Sequence, residues 1–289
     1  MVRRLSRGMT ETKPCPVCGE PSRPLKDWLY RCPACAFEFS TLTSGGGTGI
    51  EGLETLRKTN FRILLDRLER HFSLKDARAI EIGPADGWFL DAAAARGINI
   101  SGIEPDRALA EKARARGLHV ATGFFPDDLK DAGPYSLIVF NDVFEHLPDP
   151  EGAFRHVERL LAPDGLLVIN LPSSGGALYR LAKLLARFGI DAPLERLWQK
   201  GLPSPHLSLF NPMNLRLLAR RSAGFDPVDT FALRTITREG LAERISSTHG
   251  GIVGAVLFAG VWLLSFVYVP PLALSDIFVG VFRKGRIDG

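Results

Sequence analysis

Beyond position 35 the chain contains no cysteine; all four cysteines of its 289 residues lie between Cys15 and Cys35. The body of the protein therefore has no disulfide and must be held by an apolar core, which a 45% hydrophobic content can supply. The opening MVRRLSRGMTETK is basic but lacks the apolar stretch of a secretory signal. Neither sign of charge is in large excess. A net charge of +4 suits a nucleic acid or an anionic membrane surface as partner and selects neither. These absences lead to the expectation of a cytoplasmic protein with one large domain and a small appendage.

The cysteines that are present form two pairs, CPVCG and CPACA, separated by 13 residues. Each C-x-x-C suits a tight knuckle whose thiolates point at one ion, and Gly19 relieves the turn after Cys18. Four thiolates from Cys15, Cys18, Cys32 and Cys35 make a closed tetrahedral zinc site with no open position for water, hence a structural one. Two disulfides or a redox dithiol pair compete with this reading; the paired spacing and the absent export signal favour zinc. The intervening and following segments alternate like short strands, giving a zinc ribbon over residues 1–45. Its purpose is not written in the spacing: it can grip RNA, contact substrate or brace the next domain. Lys13, Arg23, Lys26 and Arg31 interleave with Trp28 and Tyr30, which suits a base-stacking face or a solvated surface over a small core.

TSGGGTG, Thr43 to Gly49, reads as a hinge of small residues. Leu56, Ile63, Leu64 and Leu68 then recur near helical spacing, so residues 46–76 are expected to be a hinge and linker helix. From Asp76 apolar runs of strand length alternate with helix-forming segments. The expected fold is α/β, a doubly wound Rossmann-like sheet with ligands held beyond the carboxyl ends of its strands.

The first strand runs into AIEIGPADGWFL, where Gly83 and Gly87 bracket a turn and Ala85 stands where dinucleotide fingerprints favour glycine. A methyl group at Ala85 is expected to fit because the turn has φ below zero there. Glu104 ends the second strand, 21 residues after Gly83, and can accept hydrogen bonds from two ribose hydroxyls. NAD and S-adenosylmethionine both need that carboxylate, so turn and carboxylate leave both open.

From about Ala77 to the C-terminus the sequence resembles class I S-adenosylmethionine-dependent methyltransferases. EIGPADGWFL is similar to the family's first motif, GIEPD to its ribose-binding acidic motif, and VFNDVFEHLPDP to the segment leaving its fourth strand. LLAPDGLLVINLP, HLSLFNPMNLRLLARRSAGF and DIFVGVFRKG resemble its later helix, turn and strand segments, the last an antiparallel strand. The resemblance implies a methyltransferase domain over 77–289, with a substrate lid at 173–223 and a hydrophobic insertion at 237–275. It implies S-adenosylmethionine as cofactor, held by Glu81, Gly83, Ala85, Gly87, Glu104 and Asn141, with Phe124, Phe125 or Asp127 near the adenine. His146 and His206 are the candidate bases. Asp142, Glu145 and His146 also resemble the divalent-ion pattern of some quinone O-methyltransferases.

The acceptor implied is a small molecule, a sugar or glycan, or a lipid-linked compound, methylated on oxygen. Two other functions remain in view: a ribosomal RNA base methyltransferase whose ribbon holds RNA, and a non-catalytic cofactor-binding partner subunit. The NDVF exit of the fourth strand departs from the NPPY-like signature of adenine amino methylation, so nucleic acid ranks below small molecules as partner.

Charge is absent from Gly250 to Ser275. That length allows a membrane span, but a single crossing would strand the final sheet strand on the far side. A re-entrant hairpin at the cytoplasmic membrane surface is the expectation, with burial against the domain as its alternative. Arg238, Arg244, Arg283, Lys284 and Arg286 are placed to meet anionic headgroups. The helix predicted over 177–188 has Leu178, Leu181, Leu185 and Phe188 on one face and Arg180, Lys183 and Arg187 on another, as an interfacial helix does.

Overall fold

A computed structural model describes residues 12–43, 54–70, 72–130, 133–235 and 272–285. The small-residue hinge after Thr43 and nearly all of the charge-free run lie outside these residues, as do Arg238, Arg244 and Arg286.

Seven strands form the main sheet. They are β5 (Arg78–Ile82), β6 (Asn99–Glu104), β7 (Val120–Thr122), β8 (Tyr135–Asn141), β9 (Leu161–Pro172), β11 (Phe225–Ala232) and β12 (Ile277–Lys284), in the spatial order β11-β12-β9-β8-β5-β6-β7. The pairs β5–β6, β5–β8, β6–β7 and β8–β9 are parallel, whereas β12 runs antiparallel to both β9 and β11. The expected doubly wound sheet with an antiparallel last strand is thus present. The strand order reverses between β5 and β8, so a crevice opens at their carboxyl ends, where such folds hold ligands.

Both sheet faces are covered, which explains why the central strands read as continuous apolar runs. On one face Ala79, Leu137, Val139 and Val168 pack with Phe61, Leu64 and Leu68 of α1 (Glu54–Glu69), Phe89 of α2 (Trp88–Ala94) and Ala113 of α3 (Arg107–Ala115). On the other, Ile80, Ile82, Ile138 and Phe140 meet Phe154 of α4 (Pro150–Leu160) and Leu215 and Leu218 of α7 (Pro212–Ala223). The alternation of Ala79 with Ile80 and of Leu137 with Ile138 is the period of a strand sending neighbours to opposite faces.

The ribbon comprises β1 (Lys13–Pro14), β2 (Pro21–Pro24), β3 (Leu29–Arg31) and β4 (Glu38–Ser40). Its sheet has a fifth member from the lid: β10 (Ser208–Leu209) pairs antiparallel with β4, Ser208 opposite Phe39 and Leu209 opposite Glu38. Nothing in the spacing of residues 1–45 signals this pairing. Apolar packing follows it. Phe37 lies 4.8 Å from Phe210, ring centre to ring centre, and Trp28 lies 5.8 Å from Trp198. Trp28, Tyr179 and Trp198 share a core with Leu194 and Ala182, from α6 (Ala192–Leu197) and α5 (Ala177–Arg187). Trp28 and Tyr30 are both buried, so neither offers the base-stacking face considered from the sequence.

On α5 the small side chains Ala182 and Ala186 and the ring of Tyr179 face inward. Leu178, Leu181, Leu184 and Phe188 are exposed, the last 77% so, beside exposed Arg180 and Arg187. Lys183 turns back to the buried Glu38 of the ribbon, 2.6 Å away. Among the described residues no helix is long and apolar enough to cross a membrane.

Candidate active site

The turn after β5 stands at the sheet's crevice. Gly83 has φ +68, and a Cβ there would lie 2.7 Å from Val143; Gly87 has φ +73, and a Cβ would lie 2.6 Å from Leu118. Glycine is required at both on conformation and on space. Ala85 is also left-handed, with φ +47, which corrects the expectation of a negative angle. The Ala85 N–H donates to Glu104 Oε2 at 2.8 Å, an anchor for a conformation that alanine otherwise disfavours. The other carboxylate oxygen, Glu104 Oε1, accepts from the Asp106 N–H at 2.9 Å. Glu104 is 5% exposed, and burial raises its pKa above the ordinary carboxylate value. It ties the first turn to the end of β6, with second lone pairs left for ligand hydroxyls.

Beneath the turn a row of polar side chains crosses three strands. Asn141 donates to Glu81 Oε1 at 2.7 Å, and Asn170 donates to Asn141 Oδ1 at 3.2 Å. All three are buried, yet Glu81 Oε2 and Asn170 Oδ1 have no hydrogen-bond partner. Burial pushes the Glu81 carboxyl up to about 8, which keeps it protonated at neutral pH. Unsatisfied buried oxygens next to a glycine cradle fit a polar cofactor such as S-adenosylmethionine. After β7, Phe125 packs at 5.5 Å on Phe140, whereas Phe124 is 58% exposed.

A second cluster surrounds a cavity of about 160 Å³ lined by α1, the exit of β8 and the lid. Asp142 leaves β8 with φ +53, another left-handed residue at the crevice, and its carboxylate lies 3.2 Å from Arg57 Nε. The single helical turn Phe144–His146 then supplies Glu145 and His146. The lid brings His206 to them. His206 Nε2 is 4.0 Å from Glu145 Oε1 and 2.9 Å from Gln199 Nε2, and its ring lies 4.8 Å from that of His146. His146 Nδ1 is 2.9 Å from the Pro205 carbonyl, which can only accept, so Nδ1 carries the proton and Nε2 keeps its lone pair.

Burial sets the protonation of this cluster. It pushes His206 down to about 3, helped by His146, and lowers His146 as well. It raises Glu145 well above its ordinary value, with the Asp142 charge adding to the effect. Glu145 Oε2 and His206 Nδ1 lack partners. The donor atoms of Glu145, His146 and His206 lie within 4.8 Å of one another, a set able to hold a divalent ion. The grouping differs from the Asp142, Glu145 and His146 set implied by resemblance, because Asp142 turns to Arg57 and His206 takes its place. Arg57, Asn60, Asn170 and Gln199 were missed by sequence reasoning. Asn60 and Asn170 did leave a signal, as polar residues inside apolar stripes; Asn60 spends its amide on both backbone groups of Arg234.

In the ribbon, Sγ of Cys15 lies 3.6 Å from that of Cys35, and Cys18 lies 3.5 Å from Cys32. All four sulfurs fall within 4.8 Å of one another. Four thiolates this close together call for a cation, and the set fits zinc.

Residues 54–230 match a family model described as a methyltransferase domain. A ubiquinone biosynthesis O-methyltransferase of Chromobacterium violaceum is 25% identical over 138 residues, 44% of this chain and 58% of that protein. Its counterpart in Neisseria meningitidis is 28% identical over 182 residues, 57% of this chain and 71% of that protein. The first of these matches therefore spans less than two thirds of the curated relative. Haemonchus contortus phosphoethanolamine N-methyltransferase 2, solved in complex with S-adenosyl-L-methionine, has a similar fold with a TM-score of 0.57. It is 17% identical, with 86% of this chain and 62% of that one covered.

Proposed function

The chain belongs to the methyltransferase-domain family, and on that premise we propose that it transfers a methyl group from S-adenosylmethionine to an oxygen of a small-molecule or lipid-linked acceptor. When bound, S-adenosylmethionine supplies the methyl group from its sulfonium. The Gly83–Gly87 turn would hold its amino-acid end, Glu104 would accept from its ribose hydroxyls, and Glu81 and Asn141 would offer it polar atoms, Glu81 Oε2 in particular. The acceptor occupies the cavity between α1 and the lid.

One observation carries the choice of oxygen. His206 Nε2 stands at the cavity wall beside Glu145 and His146, where an acceptor hydroxyl would meet it. An amine attacks a methyl group with a lone pair it already has, whereas a hydroxyl must lose its proton, and a neutral imidazole can take it. His206 is the base in this reading; His146, its Nδ1–H spent on Pro205, flanks the acceptor.

The exposed leucines and Phe188 of α5, with Arg180 and Arg187 beside them, support an acceptor met at the anionic surface of the cytoplasmic membrane. The ribbon carries a structural zinc. The deciding experiment traces isotopic methyl from labelled methionine in cells with and without the gene, comparing metabolites and lipids. A labelled methoxy compound lost with the gene is the expected result; labelled RNA or N-methyl product in its place overturns the reading.

A further inference from the structure

Two hydrogen bonds from Ser40 of the ribbon fall on His206 and Leu207, the residues that carry the His206 ring into the cavity. The Ser40 hydroxyl donates to the His206 carbonyl at 2.9 Å. The Ser40 backbone N–H donates to the Leu207 carbonyl at 2.9 Å, and the Leu207 N–H donates to the Glu145 carbonyl at 2.8 Å. The His206 N–H donates to the carbonyl of Trp198 at 3.0 Å, whose ring packs edge-on against Trp28 of the ribbon. Every backbone donor and acceptor of His206 and Leu207 is thus engaged. The ribbon takes both carbonyls directly and packs against the residue that takes one of the amides.

From this we infer that the ribbon positions the acceptor site, with Ser40 as a positioning residue that sets where the His206 imidazole stands relative to Glu145. Two features make Ser40 more than a general brace. It holds two successive peptide groups, His206–Leu207 and Leu207–Ser208, by their carbonyls with two different donors, one from side chain and one from backbone. The segment it holds is also gripped from the opposite edge by the turn bearing Glu145, so ribbon, histidine and carboxylate form one continuous ladder. Beside it, the buried Glu38 of β4 accepts from Tyr179 and Lys183 of α5, which fixes the ribbon's orientation on the lid. The cysteine cluster shapes the ribbon's knuckles, as in the Cys32 N–H donating to the Phe37 carbonyl at 2.9 Å, and so determines where Ser40 is presented. The inference rests on reading His206 as an acceptor-side group, but its test does not need methyl transfer.

The test is side-chain histidine NMR on the full-length zinc-bound protein, with the His206 ring assigned by difference from His206→Asn. Ser40→Ala removes the hydroxyl and keeps the backbone ladder. It is expected to retain its zinc and its S-adenosylmethionine affinity within about twofold, to shift the His206 ring resonances, and to leave those of His119 and His156 in place. Ser40→Thr, which restores the hydroxyl, should return the His206 signals to their original positions, and Ser40→Pro, which removes the N–H as well, should displace them further. Superimposable His206 resonances in Ser40→Ala overturn the inference, as does loss of zinc or cofactor binding in that variant, since the effect would then be global. Unaltered methyl transfer by His206→Asn would instead strike at the acceptor-side role of His206 and leave the positioning result standing.

Discussion

Arg57 on α1 and Asp142 at the exit of β8 meet at 3.2 Å across the wall of the cavity between α1 and the lid. With side chains 24% and 28% exposed, the pair contributes at most about 1 kcal/mol to folding. Its use is to hold the Asp142 carboxylate on a backbone already turned to φ +53. Arg57→Ala should lower the melting temperature by no more than about 2–4 °C while reducing acceptor-dependent turnover far more than S-adenosylmethionine affinity. Calorimetry beside a melting curve separates the two.

Glu104→Ala should weaken S-adenosylmethionine binding at least about tenfold, the equivalent of one charge-assisted hydrogen bond. The substitution also removes the acceptor that anchors Ala85 in its left-handed conformation. Unchanged affinity in titration calorimetry would remove Glu104 from the ribose site, and hydride transfer with a nicotinamide cofactor would replace the cofactor altogether.

Glu81 makes the cofactor-free protein sensitive to alkali. Its carboxyl is raised from 4.5 to about 8 by burial, so across that interval the folded protein keeps a proton the unfolded chain has released. Stability from this group is full below the lower value and declines as pH rises toward the upper one. Glu81→Gln keeps an acceptor for Asn141 and abolishes the decline, a difference on the order of a few kcal/mol at pH 8. Urea unfolding at pH 6 and pH 8 reads it directly; parallel pH dependence in both proteins would count against a protonated Glu81.

Metal analysis should find about one zinc per chain, lost in Cys15→Ser or Cys32→Ser, since a closed site needs all four thiolates. Because β10 completes the ribbon sheet, the same variants should raise hydrogen exchange in residues 206–210. A reduced, folded protein without zinc would refute the ribbon's metal.

Flotation with anionic vesicles tests the face of α5. The wild-type protein should float, and should do so less with neutral vesicles, because Arg187 adds about 1 kcal/mol near anionic headgroups. Leu181→Asp with Phe188→Asp should stay at the bottom of the gradient. Arg283 and Lys284 contribute less than their sequence position implied: Arg283 lies over Phe72, and Lys284 is 3.3 Å from Glu158.

The sheet, the turn and the cysteine knuckles were legible because each is a local pattern: alternating runs, glycines at fixed spacing, paired thiols. Glu81 and Glu104 could be found for the same reason, standing at the ends of recognisable strands. The sign of φ at Ala85 could not, since it depends on a hydrogen bond to Glu104, 19 positions away. Arg57 lay hidden in an ordinary helix and Gln199 in the turn after α6, and both join the cavity only when α1 and the lid close over β8. The face that α5 turns outward was ambiguous for a similar reason. A helix with leucines on one side and small residues on the other buries whichever side its neighbour fits, and Trp198 and Trp28 fit the alanines.

The pairing of Ser40 with His206 joins positions 166 apart in the chain. During synthesis the ribbon emerges before the lid and can form its knuckles at once, since those contacts are local. Its aromatic face, Phe37 and Phe39, then waits for Phe210 and the lid strand to appear. The ribbon is thus begun early and finished late. Its last strand comes from the segment that carries His206 to the cavity, so a chain whose lid has not folded also carries an incomplete ribbon, with an open strand edge and bare phenylalanines for chaperones and proteases to recognise.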